Sequence, residues 1–398
     1  MDVQGARLIS IDPRSQPGLR PGIYRYQARA LDIHGQDLTG SPVTMTVEGT
    51  APPLGTLFTV VNADHTAGDT AASVSGPRAR IGRPNGIAVA SDGTVYLADS
   101  SHRVRKLTPQ GALSVVAGTG NGGNSGDFGA AVKADLNNPM GLALDEAKNL
   151  LYIVDRSNNR IRVVNLTSGL ISTYAGGGSA QGPGYGDGGV ATAANLYGLR
   201  HLSIGPDKAL YLSDQNRNGI RRIDPDTTVI TTFIQSMNGC SGTEPLKYYD
   251  CGGEGCDMAW DKDGLVLGAR FCGSAMNTSV TWGIARRNND GSFTHLAGWY
   301  NGSTADGAVA TSTTLNQING IAYDDNENLF FADAQHRIRR IDATSRIVTT
   351  VVGTGTAGYS GEYGPTTSAT INSPNDLGFT DGHLVFGDEA NYCVRLAW

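Results

Sequence analysis

The chain is a succession of short apolar runs separated by polar, turn-forming segments. Within residues 138–176, the runs GLAL, LLYIVD, RIRVVN and LISTYAG are separated by DEAKN, RSNN and LTSG. The runs are rich in β-branched and aromatic residues and the separators in turn formers, which predicts four short strands joined by tight turns. One such unit cannot bury enough apolar surface to be stable alone, so we expect copies of it.

The pattern recurs along the rest of the chain. Copies begin at Arg83, Asn138, Leu199, Cys256, Ile318 and Pro374. The last copy stops after three strands, and a matching fourth strand, TLFTVV, stands before the first copy. The pattern therefore predicts six four-stranded units, one of them split between the two ends of the chain. We expect Leu57 to Val61 to pair with the strand that contains Val394 to Leu396, because this pairing removes an open edge.

The second and third strands of the copies carry related motifs. They read YLADSSHRVRKL, YIVDRSNNRIRVV, YLSDQNRNGIRRI, FFADAQHRIRRI and VFGDEANYCVRL. From Thr56 onward the chain resembles the NHL-repeat family of six-bladed β-propellers, in particular its bacterial secreted members. The resemblance implies an all-β fold with one propeller over residues 56–398, closed by 57–61. It implies a binding scaffold but no single activity, because the family includes protein-binding, RNA-binding and enzymatic members.

Residues 1–50 have a different pattern, with two long alternating runs, YRYQARAL and VTMTV, around a turn. They resemble the last hairpin of a bacterial immunoglobulin-like domain. The resemblance is carried by Gly22, Tyr24, Ala30, Asp32, Gly35 and Val43 to Val47. Because a full sandwich needs about 100 residues, we expect only a partial Ig-like segment here. Residues 51–55, APPLG, read as a stiff linker.

Composition narrows the function classes. The formal net charge is −6 and only 17% of residues are charged, which argues against a dedicated nucleic-acid binder. No run is long and apolar enough to predict a membrane span, and the first residues do not resemble a signal peptide.

Residues that repeat in five of the six copies are interpreted as structural, and the fourth copy has Ala269 in place of the Asp. An Asp ends the second strand at positions 99, 155, 214, 333 and 388, where we expect it to accept turn N–H bonds. An Arg recurs on the third strand at positions 105, 162, 221, 339 and 395, and we expect it to pair or stack between blades. Acidic glycine loops surround Asp69, Asp127, Asp187, Asp306 and Glu362. Each loop supplies one carboxylate, so turn capping is favoured over Ca²⁺ binding, and no metal or cofactor is expected.

Function is expected where the copies disagree. Aligned at the start of each first strand, one ring of positions holds Asn85, Met140, Arg200, Cys256, Asn319 and Asn375. The next ring holds Gly86, Gly141, His201, Asp257, Gly320 and Asp376. Arg200, His201, Asp257 and Asp376 depart from the small and amide residues of the other copies. They predict a ligand site at the channel mouth. The alternative is that Arg200 or His201 pairs with Asp257 merely to close the channel.

The cysteines predict disulfides. Cys240, Cys251, Cys256 and Cys272 converge on one sector of the ring by topology, and their spacing does not fit a zinc knuckle. Two disulfides are expected among these four, with three connectivities open, and Cys393 is expected to stay buried and free. Disulfides favour a secreted, cell-surface or periplasmic location.

Three functions remain open on the sequence. The favoured hypothesis is a non-enzymatic module that binds a protein or glycan partner through top-face loops. The aromatic residues expected on those loops, which suit such partners, are Phe128, Tyr185, Tyr248, Tyr249, Trp299, Tyr300, Tyr359 and Tyr363. The second is a lyase or lactonase that uses His201 with Asp257 or Asp376. The third is a structural spacer in a larger surface or toxin protein.

Overall fold

The alternating runs form antiparallel sheets in the computed structural model of the chain. It describes residues 55–398 except 72, 183, 216–218, 236–248, 251–255, 273–279, 299–301, 303 and 398. At 22–28, 43–49, 249–250, 271–272 and 280–281 it describes the backbone alone. Within residues 55–398 the strands build six sheets arranged as the blades of a propeller. The predicted all-β, six-bladed fold is therefore confirmed.

The first three blades follow one another along the chain. Blade 1 contains β5 (Pro84–Val89), β6 (Val95–Asp99), β7 (Arg103–Leu107) and β8 (Ala112–Ala117), with β4 (Val74–Ser75) at its outer edge. Blade 2 contains β9 (Pro139–Asp145), β10 (Leu150–Asp155), β11 (Arg160–Asn165) and β12 (Leu170–Gly176). Blade 3 contains β13 (Leu202–Ile204), β14 (Leu210–Asp214), β15 (Gly219–Ile223) and β16 (Ile230–Gln235).

The other three blades include one with longer strands and the split blade. Blade 4 contains β18 (Asp257–Asp261), β19 (Gly264–Cys272), β20 (Val280–Arg287) and β21 (Phe293–Ala297), with β17 (Tyr249–Asp250) paired to the end of β19. Blade 5 contains β22 (Ile318–Tyr323), β23 (Leu329–Asp333), β24 (Arg337–Ile341) and β25 (Val348–Val352). Blade 6 contains β26 (Pro374–Thr380), β27 (His383–Asp388), β28 (Cys393–Ala397) and β3 (Leu57–Val61).

The split blade closes the ring. β3 pairs antiparallel with β28, and the register places Val61 opposite Val394 and Leu57 opposite Ala397. This is the pairing that the sequence predicts. Leu57 and Val61 are fully buried in the packing between blades. The two ends of the propeller are therefore joined by backbone hydrogen bonds in the same sheet, which leaves no unpaired strand between them.

The first strand of each blade lines the centre of the ring. The six first strands contact one another in order, from β5 through β9, β13, β18, β22 and β26 and back to β5. Glycine at the second ring position allows this close approach, since a Cβ at Gly141 would lie 2.6 Å from the carbonyl oxygen of Arg200. The glycines of this ring are thus explained by packing between blades.

A segment of the connecting loop covers the outer edge of four blades. These edge segments are residues 126–131 on blade 2, 186–191 on blade 3, 305–310 on blade 5 and 361–366 on blade 6. Each bonds the fourth strand through its backbone, as when Phe128 N donates to Ile171 O at 2.7 Å and Gly188 N to Ile230 O at 2.8 Å. The edge segments therefore occupy strand edges that would otherwise be open.

The amino-terminal region supplies two further strands. β1 (Gly22–Ala28) pairs antiparallel with β2 (Val43–Gly49), with Tyr24 opposite Val47. The two alternating runs are therefore a strand pair, while the Ig-like character of residues 1–50 and the linker at 51–55 stay predictions. Over the residues that the structure describes, no helix is long and apolar enough to cross a membrane.

Candidate ligand site in the central channel

The repeated Asp and Arg residues form a separate buried network in each of five blades, which confirms that they are structural. Asp155 accepts the backbone N–H of Asn137 at 2.7 Å and the side-chain N–H of Asn158 at 2.8 Å. Arg162 places one guanidinium nitrogen 3.5 Å from Asp155 and another 2.8 Å from Asp127. The expectation that the Arg residues pair between blades is wrong. Each bonds the carboxylate of the acidic loop beside its own blade, and four of the five also bond the Asp that ends the second strand.

A β-bulge explains where these Arg side chains lie. In every blade the register between the third and fourth strands shifts at the Arg or its counterpart, as between Ile161 and Arg162. A bulge re-aims the side chain at the shifted position. In blade 2 the re-aimed guanidinium of Arg162 bonds the carboxylate of Asp127 in the edge segment. A Thr on the fourth strand donates to the same carboxylate, from Thr173 Oγ1 to Asp127 Oδ2 at 2.7 Å.

This network accounts for the acidic glycine loops. Asp69, Asp127, Asp187, Asp306 and Glu362 all bond a buried Arg, at distances from 2.7 to 3.1 Å. Over the described part of the chain, no group of three or more His, Cys, Asp and Glu side chains is arranged to hold a metal ion. The loop carboxylates therefore have a structural partner that the sequence reading did not assign to them.

Some of the aromatic residues expected on the top-face loops lie instead in or beside the edge segments. Phe128 is 84% exposed and lies beside the outer strand of blade 2, and Tyr363 lies in the corresponding place on blade 6. Tyr359 bonds Thr59 of β3 at 2.8 Å. The expectation that these three aromatics lie on the top-face loops is therefore wrong. Tyr249, Trp299 and Tyr300 have no described side chains, so their assignment to the binding site stays a prediction.

The amide residues of the first ring join neighbouring blades. Asn85 donates to Pro139 O at 3.0 Å, Asn319 to Pro374 O at 3.3 Å and Asn375 to Pro84 O at 2.6 Å. Each acceptor belongs to the next blade around the ring. The three side chains thus link neighbouring blades by hydrogen bonds at the channel mouth.

A charged group that the sequence reading missed lies at the same mouth. Glu389, in the turn after β27, lies 3.6 Å from a guanidinium nitrogen of Arg83. Burial raises the pKa of Glu389, and the positive charges of Arg83 and Arg200 oppose that rise. Both guanidinium groups therefore act on the Glu389 carboxylate. Arg200 belongs to blade 3 and Glu389 to blade 6, which is opposite in the ring. No repeat signal marks Glu389, because the corresponding turn residues differ between the copies.

Below the mouth, the second ring contains the three departures from glycine. His201 Nδ1 lies 3.1 Å from Asp257 Oδ1, and both side chains are nearly buried. Asp257 also accepts the backbone N–H of Met258 at 2.8 Å and that of Ile321 in the next blade. Since the Asp257 carboxylate fixes the Nδ1 proton of His201, the other ring nitrogen is left for a second contact. The pairing of His201 with Asp257 that the alternative interpretation predicts is therefore present, and both residues also line a cavity.

Asp376 occupies the corresponding place in blade 6. Its carboxylate accepts the backbone N–H of Leu377 at 3.0 Å and that of Ile87 in blade 1 at 2.6 Å. Burial in the narrow channel and repulsion by Asp257 raise the pKa of Asp376 to about 7, against the opposing effect of His201. Two carboxylates thus act on each other across the position of Gly320.

These side chains line a cavity of about 270 Å³ within the channel. His201, Asp257 and Asp376 form its polar rim. Under the rim, each blade contributes one apolar residue to a ring: Ile87, Leu142, Leu202, Met258, Ile321 and Leu377. The surface that the cavity exposes is mostly polar, and its charged side chains lie in the part of the channel where the repeats differ.

The cysteine predictions are only partly decided. Cys393 is free and buried, as expected. Cys256 is fully buried. Cys240 and Cys251 and the side chain of Cys272 lie outside the described residues, so the number and connectivity of the disulfides stay predictions.

Fold and repeats together define the class: the chain is an NHL-like six-bladed β-propeller. No family model matches it. It is 23% identical over 307 residues to protein SUPPRESSOR OF QUENCHING 1, chloroplastic, of Arabidopsis thaliana, an alignment that covers 76% of this chain and 29% of that protein. It is 31% identical over 167 residues to NHL repeat-containing protein 2 of Bos taurus, covering 39% and 23%. The chain thus spans less than a third of the length of either relative.

Solved structures agree on the fold. A Bacteroides thetaiotaomicron protein of unknown function superposes with a TM-score of 0.62 at 17% identity, over 96% of this chain and 82% of that one. An auxiliary nutrient binding protein from the same organism gives a TM-score of 0.60 at 13% identity, over 94% and 82%. At these identities the likeness shows the fold alone.

Proposed function

We propose that this protein is a non-catalytic binding module that takes a small ligand, or an end group of a larger partner, into the top of its central channel. One observation carries the proposal. The three ring positions that depart from glycine, His201, Asp257 and Asp376, line the same 270 Å³ cavity. In a repeat fold, a departure needed only for packing would not have to bring three polar side chains to one cavity.

The partner and location follow as parts of the proposal. A protein or glycan partner would reach the channel from the mouth, where Arg83, Arg200 and Glu389 lie. A secreted, cell-surface or periplasmic location is part of the proposal, because the disulfides expected among Cys240, Cys251, Cys256 and Cys272 form in oxidising compartments. A structurally similar chain is described as an auxiliary nutrient binding protein, which is consistent with a binding role for this scaffold.

Obstruction of the cavity tests the proposal. Leu142→Trp places an indole in the apolar ring, and Val132→Trp adds the same group at an exposed position on the edge of blade 2. A mixed set of small polar compounds would be screened against both variants and the parent by saturation-transfer NMR, after circular dichroism shows that all three fold. We expect compounds that bind the parent and Val132→Trp but not Leu142→Trp. If no compound shows this pattern, the channel is not the binding site.

A second candidate function is acid–base catalysis at the same place. It is favoured by the His201 and Asp257 pair beside Asp376, whose raised pKa suits a proton donor near neutral pH. A panel of lactones would be incubated with the parent and with Asp376→Asn. Hydrolysis by the parent well above that by the variant would favour an enzyme over a binding module.

A further inference from the structure

We propose that the ligand of the channel is a small organic cation, a primary ammonium group on a compact apolar body. This inference rests on the proposed function, since it specifies the chemistry of the same cavity. Three features of the cavity lead to it: the charges at its rim, the hydrogen-bond acceptors that remain there, and its apolar wall.

The charges at the rim favour a cation. Blades 4 and 6 contribute the carboxylates of Asp257 and Asp376, and blade 3 contributes the imidazole of His201. Blades 1, 2 and 5 have glycine at this level and add no charge. Arg200 and Arg83 lie above the rim, beside Glu389. The two carboxylates face the same narrow channel and repel each other, which with burial raises the pKa of Asp376, so positive charge placed between them is stabilised.

The remaining acceptors fit an ammonium group. A carboxylate has about four acceptor sites. Asp257 uses three of them, for His201 and the N–H groups of Met258 and Ile321, and Asp376 uses two, for Ile87 and Leu377. About one site on Asp257 and two on Asp376 therefore remain for a ligand. A primary ammonium has three N–H donors and no acceptor, which matches this number.

The side chains below the rim determine the size and polarity of the body that carries the ammonium group. The six side chains of the apolar ring are each 4–7% exposed, so each presents a small surface to the channel. They can contact an alkyl or alicyclic body along part of its surface, and these side chains offer it no hydrogen bond. The volume of about 270 Å³ lies just below the usual range for drug-sized ligands, which limits the body to a compact group.

A matched pair of probes tests the ligand class. Cyclohexylammonium and cyclohexanol have the same body and differ in the charged group, so their binding would be compared by isothermal titration calorimetry. We expect the amine to bind at least about tenfold more tightly, because only it can offer three N–H donors to the two carboxylates. Binding should weaken by about tenfold or more from pH 8 to pH 5, as protons compete for Asp376. The alcohol should show no such trend.

Two variants locate the effect. Asp376→Asn should remove the preference for the amine, whereas Asp325→Asn, which removes the same charge at an exposed turn, should keep it. Nα-acetyl-lysine methylamide serves as a third probe. If it binds and cyclohexylammonium does not, the ammonium class still holds and its source is a side chain of a partner.

The possible failures are distinguishable. Equal binding of amine and alcohol, lost from both in Leu142→Trp, would overturn the ligand class and leave the channel site intact. Amine binding that is unchanged in Asp376→Asn and Leu142→Trp would place the amine elsewhere and overturn the inference. No binding of any probe, together with no compound blocked by Leu142→Trp, would overturn the proposed function as well.

Discussion

Blade 4 differs from the other five blades in the residue at one buried position of the third strand. In blades 1, 2, 3, 5 and 6 a third-strand Arg with at most 1% exposure bonds the carboxylate of an acidic glycine loop. In blade 4 the second-strand Asp is replaced by Ala269 and the register places Ala285 at the position of the Arg. Both alanines are fully buried in an apolar cluster.

The difference indicates that the Asp and Arg depend on each other. A buried ion pair can be replaced by apolar residues at little cost, whereas removal of one partner leaves a buried charge unpaired. Blade 4 has lost both members. Its second and third strands also continue past this position, as β19 of 9 residues and β20 of 8, against 5 in each of the corresponding strands of blades 1, 3 and 5. The strand-ending Asp is thus absent where the blade extends and pairs with β17.

The largest effect is expected from removal of the closing strand. Deletion of residues 1–62 takes away β3, which pairs with β28 and supplies Thr59 to the Glu362 and Arg395 network of blade 6. Because this exposes a strand edge and breaks a buried network, thermal unfolding should move to much lower temperature or lose its cooperativity. Deletion of residues 1–50 alone keeps β3 and is the matched control. An unchanged melting temperature for the longer deletion would contradict closure by β3.

Single and double substitutions in blade 2 test whether the pair acts as a unit. Arg162→Ala should cost about 3–5 kcal/mol of stability, because it leaves the buried carboxylate of Asp155 without its cation. Adding Asp155→Ala reproduces the residues of blade 4 and should recover part of that loss. Urea unfolding of both variants, with the exposed Lys133→Ala as control, gives the coupling energy. Purely additive losses would mean that the two residues stabilise blade 2 independently.

The pH dependence of stability should depend on the same carboxylates. Burial raises the pKa of Asp388 to about 6, above the value of about 3.9 for an unfolded chain. The folded state therefore holds this proton more tightly, and stability falls as pH rises from about 4 to about 6. Asp388→Asn should reduce that slope, while Asp325→Asn at an exposed turn should not. Urea unfolding midpoints measured across this pH range test the prediction. An unchanged dependence of the midpoint on pH in Asp388→Asn would contradict it.

The smallest effect concerns backbone strain within the edge segments. Phe128 has φ of 64° and is 84% exposed, whereas Gly188 and Gly307 occupy the same place on blades 3 and 5. Phe128→Gly should raise stability by about 0.5–1 kcal/mol, since glycine adopts positive φ without steric cost. Tyr363→Gly is the control, because Tyr363 has φ of 59° but packs against Phe58 at 5.4 Å between ring centroids. Equal gains in both variants would show that the contact with Phe58 is negligible.

The sequence predicts the fold well because the propeller is built from local patterns. Strand runs and turns repeat within each copy, and the split copy indicates the closure at β3. The ring alignment also brings His201 and Asp257 together, since it depends only on equivalent positions in adjacent blades. The structure confirms that contact at 3.1 Å.

The rest depends on contacts between segments that the repeat pattern does not relate. The path of the loops over the outer strands decides the partner of Arg162 and the place of Phe128, and no strand pattern encodes that path. One signal was available: Ala269 and Ala285 replace Asp and Arg in the same copy, which indicates that the two residues depend on each other. Glu389 gave no signal, because its relation to Arg200 exists only across the closed ring.

The most direct measurement is a crystal structure of the protein soaked with cyclohexylammonium. We expect electron density in the channel, with the ammonium nitrogen about 2.7–3.2 Å from carboxylate oxygens of Asp257 and Asp376 and the ring against Leu142 and Met258. An empty channel at a saturating concentration, or the amine bound only at another surface, would contradict the claim that the departures from the repeat form a ligand site.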